Sequence, residues 1–127
     1  MTLATTAHVA LHLLLDEADL AALEVYRATG TMAVRERDRL GSEIREAAVS
    51  VVSVLTDERP PLPPADLPWA WSAEQAVSRC QYLLGLAGRL GALDLDQCQA
   101  LICRYAALAS SIRSHGVRAH TVPAQHT

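Results

Sequence analysis

Apolar residues recur every three to four positions along most of the chain, which is the spacing of one buried face of an α-helix. This pattern predicts four helices, over about 4–29, 34–57, 72–90 and 94–114, and the polar run before Ser42 leaves the second helix to start at Val34 or at Ser42. Gly30 and Gly91 stand where the first and third helices would end. Capping-box spacing marks the starts of the third and fourth helices, at Ser72 with Gln75 and at Asp94 with Gln97. Alternation typical of strands is absent from the sequence, so the predicted fold class is all-α.

A proline run separates the second and third predicted helices. Four prolines fall between Pro60 and Pro64, where they cannot continue a helix and favour extended polyproline geometry. We interpret 58–71 as a linker, although Pro60 and Pro63 also have the spacing of a ligand for aromatic grooves. Short turns at 30–33 and 91–93 predict helical hairpins on either side of the linker.

The predicted architecture is an antiparallel up-and-down four-helix bundle with a proline-rich crossover between helices 2 and 3. Residues 1–115 would form this single domain, and 116–127 would be a flexible tail.

The second helix has more apolar surface than one core stripe requires. Its stripe contains Ile44, Ala47, Ala48, Val51 and Leu55, while other apolar residues of the first and second helices fall outside the stripes. Contiguous exposed apolar surface usually marks an interface. We therefore predict that the chain self-associates through Leu13, Leu20, Val49, Val52 and Val54. The alternative is a wider core stripe covered by the linker with Trp69 and Trp71.

Composition and charge narrow the function classes. The 127 residues suit one domain, and three cysteines without framework spacing indicate reduced thiols. The sequence shows neither an apolar run of bilayer length nor a secretory signal, so we expect a soluble, cytoplasmic protein without a membrane partner. The formal net charge of −3 does not favour phosphate binding.

Candidate chemistry is sparse. His8 and His12 are four apart on a predicted helix, which would let both imidazoles bind one metal, but the nearest further ligands, Asp16 and Asp19, are ordinary surface acids. The cysteines Cys80, Cys98 and Cys103 do not have zinc-site spacing, and Cys80 and Cys98 suit the core. Neither a Walker loop nor a nucleophile elbow occurs. We expect no metal, no cofactor, no catalytic residues and no enzymatic activity.

One basic cluster supports an alternative function. Arg35, Arg37, Arg39 and Arg45 could contact phosphates through their planar guanidinium groups. The acids Glu36, Asp38, Glu43 and Glu46 are interleaved with them, which favours a solvated, ion-paired surface. Nucleic-acid binding is therefore the alternative to self-assembly.

Three segments carry a resemblance to a known family. They are E-V-Y-R-A-T at 24–29, L-G-S-E-I-R-E-A-A-V-S at 40–50 and L-G-A-L-D-L-D-Q-C-Q-A-L at 90–101. Together they resemble the four-helix-bundle family named for open reading frames in 23S rRNA intervening sequences, which is related to the retroelement accessory variability protein. The resemblance implies a cytosolic, ring-shaped homo-oligomer, often a pentamer, and for the accessory protein nucleic-acid and reverse-transcriptase binding.

The chain departs from the family pattern in the second helix. Glu46, Val52 and Val54 stand where the family has Arg, Pro and Asn, and Asp57 with Glu58 replaces a Glu-Gly ending. Loss of these polar groups weakens the case for a shared nucleic-acid role. Val52 in place of proline is expected to straighten the helix and to add apolar surface.

Overall fold

The computed structural model describes the backbone of residues 2–56 and 66–125, and the side chains of 11–56 and 70–115. Four helices and no strands make up this part of the chain, which confirms the all-α prediction. Helix α1 is Thr2–Thr29. Helix α2 covers 34–55, where Val34–Glu36 leads into a π-helical turn at Arg37–Gly41 and then into Ser42–Leu55. Helix α3 is Asp66–Arg89 and α4 is Leu95–Gln125.

The third helix begins earlier than its sequence pattern indicated. It starts at Asp66 instead of residue 72, so Pro68 falls in its first turn. Proline is tolerated there because the first N–H groups of a helix have no intrahelical partner. Ser72 therefore lies inside the helix, and the predicted capping pair of Ser72 with Gln75 is wrong. The proline run itself, at 60–64, lies outside the described residues.

The last helix is longer than expected. It continues to Gln125, through residues that were expected to form a flexible tail from 116 onward. Gly116 falls at the start of the predicted tail, yet one glycine weakens a helix by only about 1 kcal/mol relative to alanine. A helix already nucleated by the packed part of α4 can therefore continue past it.

The turn between α3 and α4 is closed by two backbone hydrogen bonds of a Schellman motif. The N–H of Ala92 donates to the carbonyl of Ala87 at 2.9 Å, and the N–H of Gly91 donates to that of Gly88 at 3.1 Å. Gly91 has φ +74°, a left-handed conformation that favours glycine. Asp94 then caps α4, because its Oδ2 accepts from the N–H of Gln97 at 3.1 Å. Both sequence predictions for this turn are confirmed.

The helices pack around one hydrophobic core. Each helix contacts its neighbours in chain order, and α4 also contacts α1. Consequently α1 and α3 lie diagonally opposite each other among the four helices. The apolar stripe predicted for the second helix is buried, as expected. It belongs to a core that includes Ile44, Val51, Leu55, Val77, Leu84, Tyr105, Leu108 and Ile112.

None of the described helices contains an apolar stretch long enough to span a membrane.

Candidate functional site

Arg45 is the centre of a polar cluster that joins α1 to α2. Its Nε donates a hydrogen bond to Oγ1 of Thr29 at 3.0 Å, and its Nη2 donates to the carbonyl of Arg37 at 3.4 Å. The guanidinium carbon lies 5.6 Å from the centre of the Tyr26 ring, within the range of a cation–π interaction. Thr29 is fully buried, and its hydroxyl donates to the carbonyl of Val25 at 2.8 Å. Arg45 is therefore committed to holding two helices together.

The π-helical turn lies directly beside this cluster. It buries Leu40 and Gly41, although the surrounding segment R-E-R-D-R-L-G is polar. A Cβ atom at position 41 would lie 3.2 Å from Sδ of Met32, so the absence of a side chain allows the loop after α1 to approach α2 closely. Arg37 is the first residue of this turn, and its carbonyl accepts a hydrogen bond from Arg45. Sequence reasoning missed the π turn, since its only signals are the glycine and the polar run.

The other arginines of the basic cluster differ from Arg45. Arg35 and Arg39 are exposed and Arg37 is half-buried. In the part of the chain with described side chains the ion pairs are Arg104 with Glu24, and Arg113 with Glu74 at 2.9 Å. The interleaved acids at 36–46 therefore do not pair with these arginines, contrary to the expectation of an ion-paired surface. Arg45 thus differs from the other three arginines, because its side chain links two helices while theirs form no ion pair with these acids.

The five residues predicted to form an interface fall into two groups. Leu13, Leu20 and Val49 are exposed, with 58%, 50% and 44% of their surface accessible. Val52 and Val54 are half-buried and pack against the core of the same chain. The exposed three could contact another molecule directly, whereas the other two have less surface to contribute.

The exposed leucines belong to a continuous stripe on the outer face of α1. We define the α1 stripe as Leu13, Asp16, Leu20, Leu23 and Arg27, which follow one another at alternating spacings of three and four residues and are all exposed. Leu23, at 45% exposure, was not among the predicted interface residues. Glu17 and Asp19 flank the stripe and are exposed as well. The α1 stripe therefore has three leucines, with Asp16 between the first two and further acids along its sides.

A second stripe, which sequence reasoning missed, runs along the outer face of α3. We define the α3 stripe as Trp71, Gln75, Ser78, Tyr82 and Arg89, all exposed and at helical spacing. The guanidinium of Arg89 lies 5.9 Å from the centre of the Tyr82 ring. Trp71 is 63% exposed, and the linker that would cover the valines of α2 together with it lies outside the described residues, so the alternative of a wider covered stripe stays a prediction. The side chain of Trp69 lies outside the described residues.

A groove of about 330 Å³ lies between α1 and α4. Leucine side chains form its apolar part, and serine hydroxyls with one acid and one imidazole form its polar part. Its lining residues are Leu13, Leu14, Glu17, Ser110, Ser111, Ser114 and His115. The groove begins where the α1 stripe ends, so that Leu13 belongs to both.

The two buried thiols are weak nucleophiles near neutral pH. Burial raises the pKa of the Cys80 thiol from 9.0 to about 11, and burial also raises the pKa of Cys98. Burial, and then the neighbouring Cys80, raises the pKa of the Tyr105 hydroxyl. Both thiols thus remain protonated near neutral pH, where a thiol is a poor nucleophile. Their burial confirms the prediction that Cys80 and Cys98 are small core residues, while Cys103 is exposed.

The proposed histidine pair is only partly visible. His12 is exposed on α1, and the side chain of His8 lies outside the described residues. Among the side chains that the structure describes, no three His, Cys, Asp or Glu residues come together in the manner of a metal site.

Comparison of the chain with protein-family models, with curated proteins and with solved structures finds no match.

Proposed function

We propose that this protein is a non-enzymatic, self-assembling helical bundle that acts as a scaffold or adaptor. The observation that carries the proposal is the α1 stripe, where Leu13, Leu20 and Leu23 are each about half exposed in the single chain. Scattered single apolar residues on a surface need no explanation, but three along one line of a helix, interrupted only by Asp16, form an apolar face. Covering that patch with a second copy would remove its apolar area from water.

The proposed architecture is an antiparallel up-and-down bundle. In support, helices adjacent in sequence contact each other and α4 returns to contact α1. The tight turn at 90–94 reverses the chain between α3 and α4, as in a helical hairpin. We keep the proline run at 60–64 as the proposed crossover between α2 and α3.

The proposed assembly is a ring-like homo-oligomer in the cytoplasm, and the family resemblance suggests a pentamer. Residues of the first two resembling segments meet in one place, since Tyr26, Thr29 and Arg45 contact one another beside the buried Gly41. They form a local structural unit that joins α1 to α2.

A charge substitution on the α1 stripe tests the proposal. Leu20→Arg places a charge in the middle of the patch, and we expect it to reduce the molar mass of the assembly to that of one chain. Val34→Arg is the matched control, because Val34 is 62% exposed and lies outside both stripes. The two masses can be compared by size-exclusion chromatography with light scattering. A Leu20→Arg protein with the mass of the unaltered assembly would remove the α1 stripe from the interface.

A second candidate function is nucleic-acid binding by Arg35, Arg37 and Arg39. The observation that favours it is that these arginines take part in neither of the ion pairs found among the described side chains. Guanidinium groups without carboxylate partners are available to phosphates. In a ring this segment would be repeated, so weak contacts could add through multivalency.

Binding to a labelled single-stranded RNA, followed by fluorescence anisotropy, tests this candidate. We expect affinity to fall steeply as salt increases, because phosphate contacts release counterions. Changing Arg35, Arg37 and Arg39 to glutamine should flatten that dependence. Binding that is absent at low salt, or unchanged in the glutamine variant, would contradict the candidate function.

A further inference from the structure

The two outer stripes lie on opposite sides of the molecule. The α1 and α3 helices each pack against α2 and α4, which places them at opposite corners of the bundle. At a rise of 1.5 Å per residue the α1 stripe is about 21 Å long and the α3 stripe about 27 Å long. The α1 stripe follows the alternating three- and four-residue spacing with which helices pack side by side, and the α3 stripe does so from Trp71 to Tyr82, with Arg89 two turns further on. Two helical faces of similar length thus point away from each other.

With the charged residues that flank them included, the faces that carry the two stripes have opposite charges. Around the α1 stripe the exposed charged residues of 11–29 are Asp16, Glu17, Asp19 and Arg27. On α3 the exposed charged side chains between 70 and 89 are Arg79 and Arg89. Glu74 is half-buried and already paired with Arg113. The α1 face is thus mainly acidic, and the α3 face is basic.

We propose that the α1 stripe of one copy docks on the α3 stripe of the next copy, in a head-to-tail contact. This inference rests on the proposed self-assembly and specifies how it occurs. Leu20 and Leu23 would pack against Tyr82 and Trp71, since aromatic and arginine side chains are frequent anchors of interfaces. The acids beside the α1 stripe would face Arg79 and Arg89.

Charge also argues against parallel pairing between identical stripes. Two parallel α1 stripes would bring two sets of Asp16, Glu17 and Asp19 together, and two α3 stripes with the flanking Arg79 would bring four arginines together. Such like-charge pairs disfavour the wrong partner. When two chains are joined through two different surfaces, one α1 stripe and one α3 stripe remain free. Further chains can therefore add until the assembly closes as a ring, or it extends as a filament.

Mixing two variants tests the head-to-tail contact. Leu20→Arg disables the α1 stripe and Tyr82→Asp disables the α3 stripe, and each protein alone is expected to have the mass of a single chain. The Leu20→Arg protein keeps a functional α3 stripe and the Tyr82→Asp protein keeps a functional α1 stripe. An equimolar mixture should therefore form a complex of one chain of each, with twice the mass and nothing larger. Leu23→Arg and Arg89→Glu provide a second pair, and circular dichroism verifies the helical content of each variant.

The failures of this inference and of the proposed function are distinguishable. If Tyr82→Asp retains the mass of the unaltered assembly, the α3 stripe is not used and the head-to-tail contact is wrong, while self-assembly stands. A mixture that stays at the mass of one chain, made from two well-folded variants, overturns the contact in the same way. If the unaltered protein is itself a single chain at all concentrations, both proposals fail.

Discussion

The side chain of Arg45 on α2 reaches the buried hydroxyl of Thr29 on α1, with 3.0 Å between Nε and Oγ1. The two residues are the central contact of a cluster that also includes Tyr26 and the carbonyl of Arg37. A hydroxyl that is fully buried has to satisfy its hydrogen-bonding capacity inside the protein. Thr29 does so by donating to its own helix and accepting from the next one. The end of α1 is thereby fixed to the start of α2.

Removing the Thr29 hydroxyl should lower stability. Thr29→Val keeps the shape of the side chain but leaves Arg45 Nε without its acceptor, which is expected to cost about 1–2 kcal/mol of unfolding free energy. Thr31→Val is the matched control, because the Thr31 hydroxyl bonds only to the carbonyl of Ala28 in its own turn, at 2.7 Å. Surface changes of that kind usually stay within about 0.5 kcal/mol. Urea unfolding at equal protein concentration measures both variants, and equal losses would contradict the bridging role.

Two glycines of α3 should respond differently to alanine. A Cβ at Gly85 would have Ile102 Cδ1 at 3.9 Å, an ordinary contact, so Gly85→Ala is expected to stabilise the helix by roughly 0.5–1 kcal/mol. A Cβ at Gly88 would meet Leu95 Cδ1 at 3.2 Å and Cys98 Sγ at 3.3 Å. Gly88→Ala should therefore be the less stable of the two proteins, by at least about 1 kcal/mol. Equal melting temperatures would show that α4 can move away from position 88 at little cost.

The three thiols should differ in reactivity. In the native protein we expect one thiol to react rapidly with a disulfide reagent at pH 8, because Cys103 is exposed while Cys80 and Cys98 are buried. Cys103→Ser should remove the fast phase. A fast phase that persists in Cys103→Ser would place a second thiol within reach of solvent.

The raised pKa of Cys80 also predicts a dependence of stability on pH. Its folded-state pKa is about 11 against 9.0 for an ordinary thiol, so between these values the unfolded chain loses a proton that the folded chain keeps. The contribution of Cys80 to the free energy of unfolding is therefore fully present below pH 9, and it is lost as the pH rises from 9 to 11. The loss should be smaller in Cys80→Ala, measured by urea unfolding from pH 8 to 10.5. Identical slopes for the two proteins would contradict the assignment to Cys80.

The core of the fold was predictable from the sequence because burial imposes its own period. The buried stripe of α2, from Ile44 to Leu55, follows helical spacing without interruption. Gly91 and Asp94 were recognisable for a similar reason, since a left-handed turn favours glycine and a helix start favours a carboxylate. These signals are local, and they do not depend on tertiary contacts.

The elements that were missed depend on context. The predicted linker 58–71 includes Pro68, yet the position of this proline in the first turn of α3 makes its missing N–H harmless. Because α3 was predicted to start at residue 72, Trp71 was assigned to the linker and the α3 stripe was overlooked. The contact of Arg45 with Thr29 joins residues on two helices, and no periodic pattern in either helix reports it.

The measurement to make next is the absolute molar mass of the unaltered full chain by light scattering over a dilution series. We predict a discrete multiple of the single-chain mass of 13.7 kDa, which dissociates only at high dilution. A multiple of five would agree with the family resemblance, and any other closed number of three or more would still agree with the head-to-tail contact. A mass of one chain at every concentration would contradict self-assembly and leave the exposed leucines of α1 without the partner proposed for them.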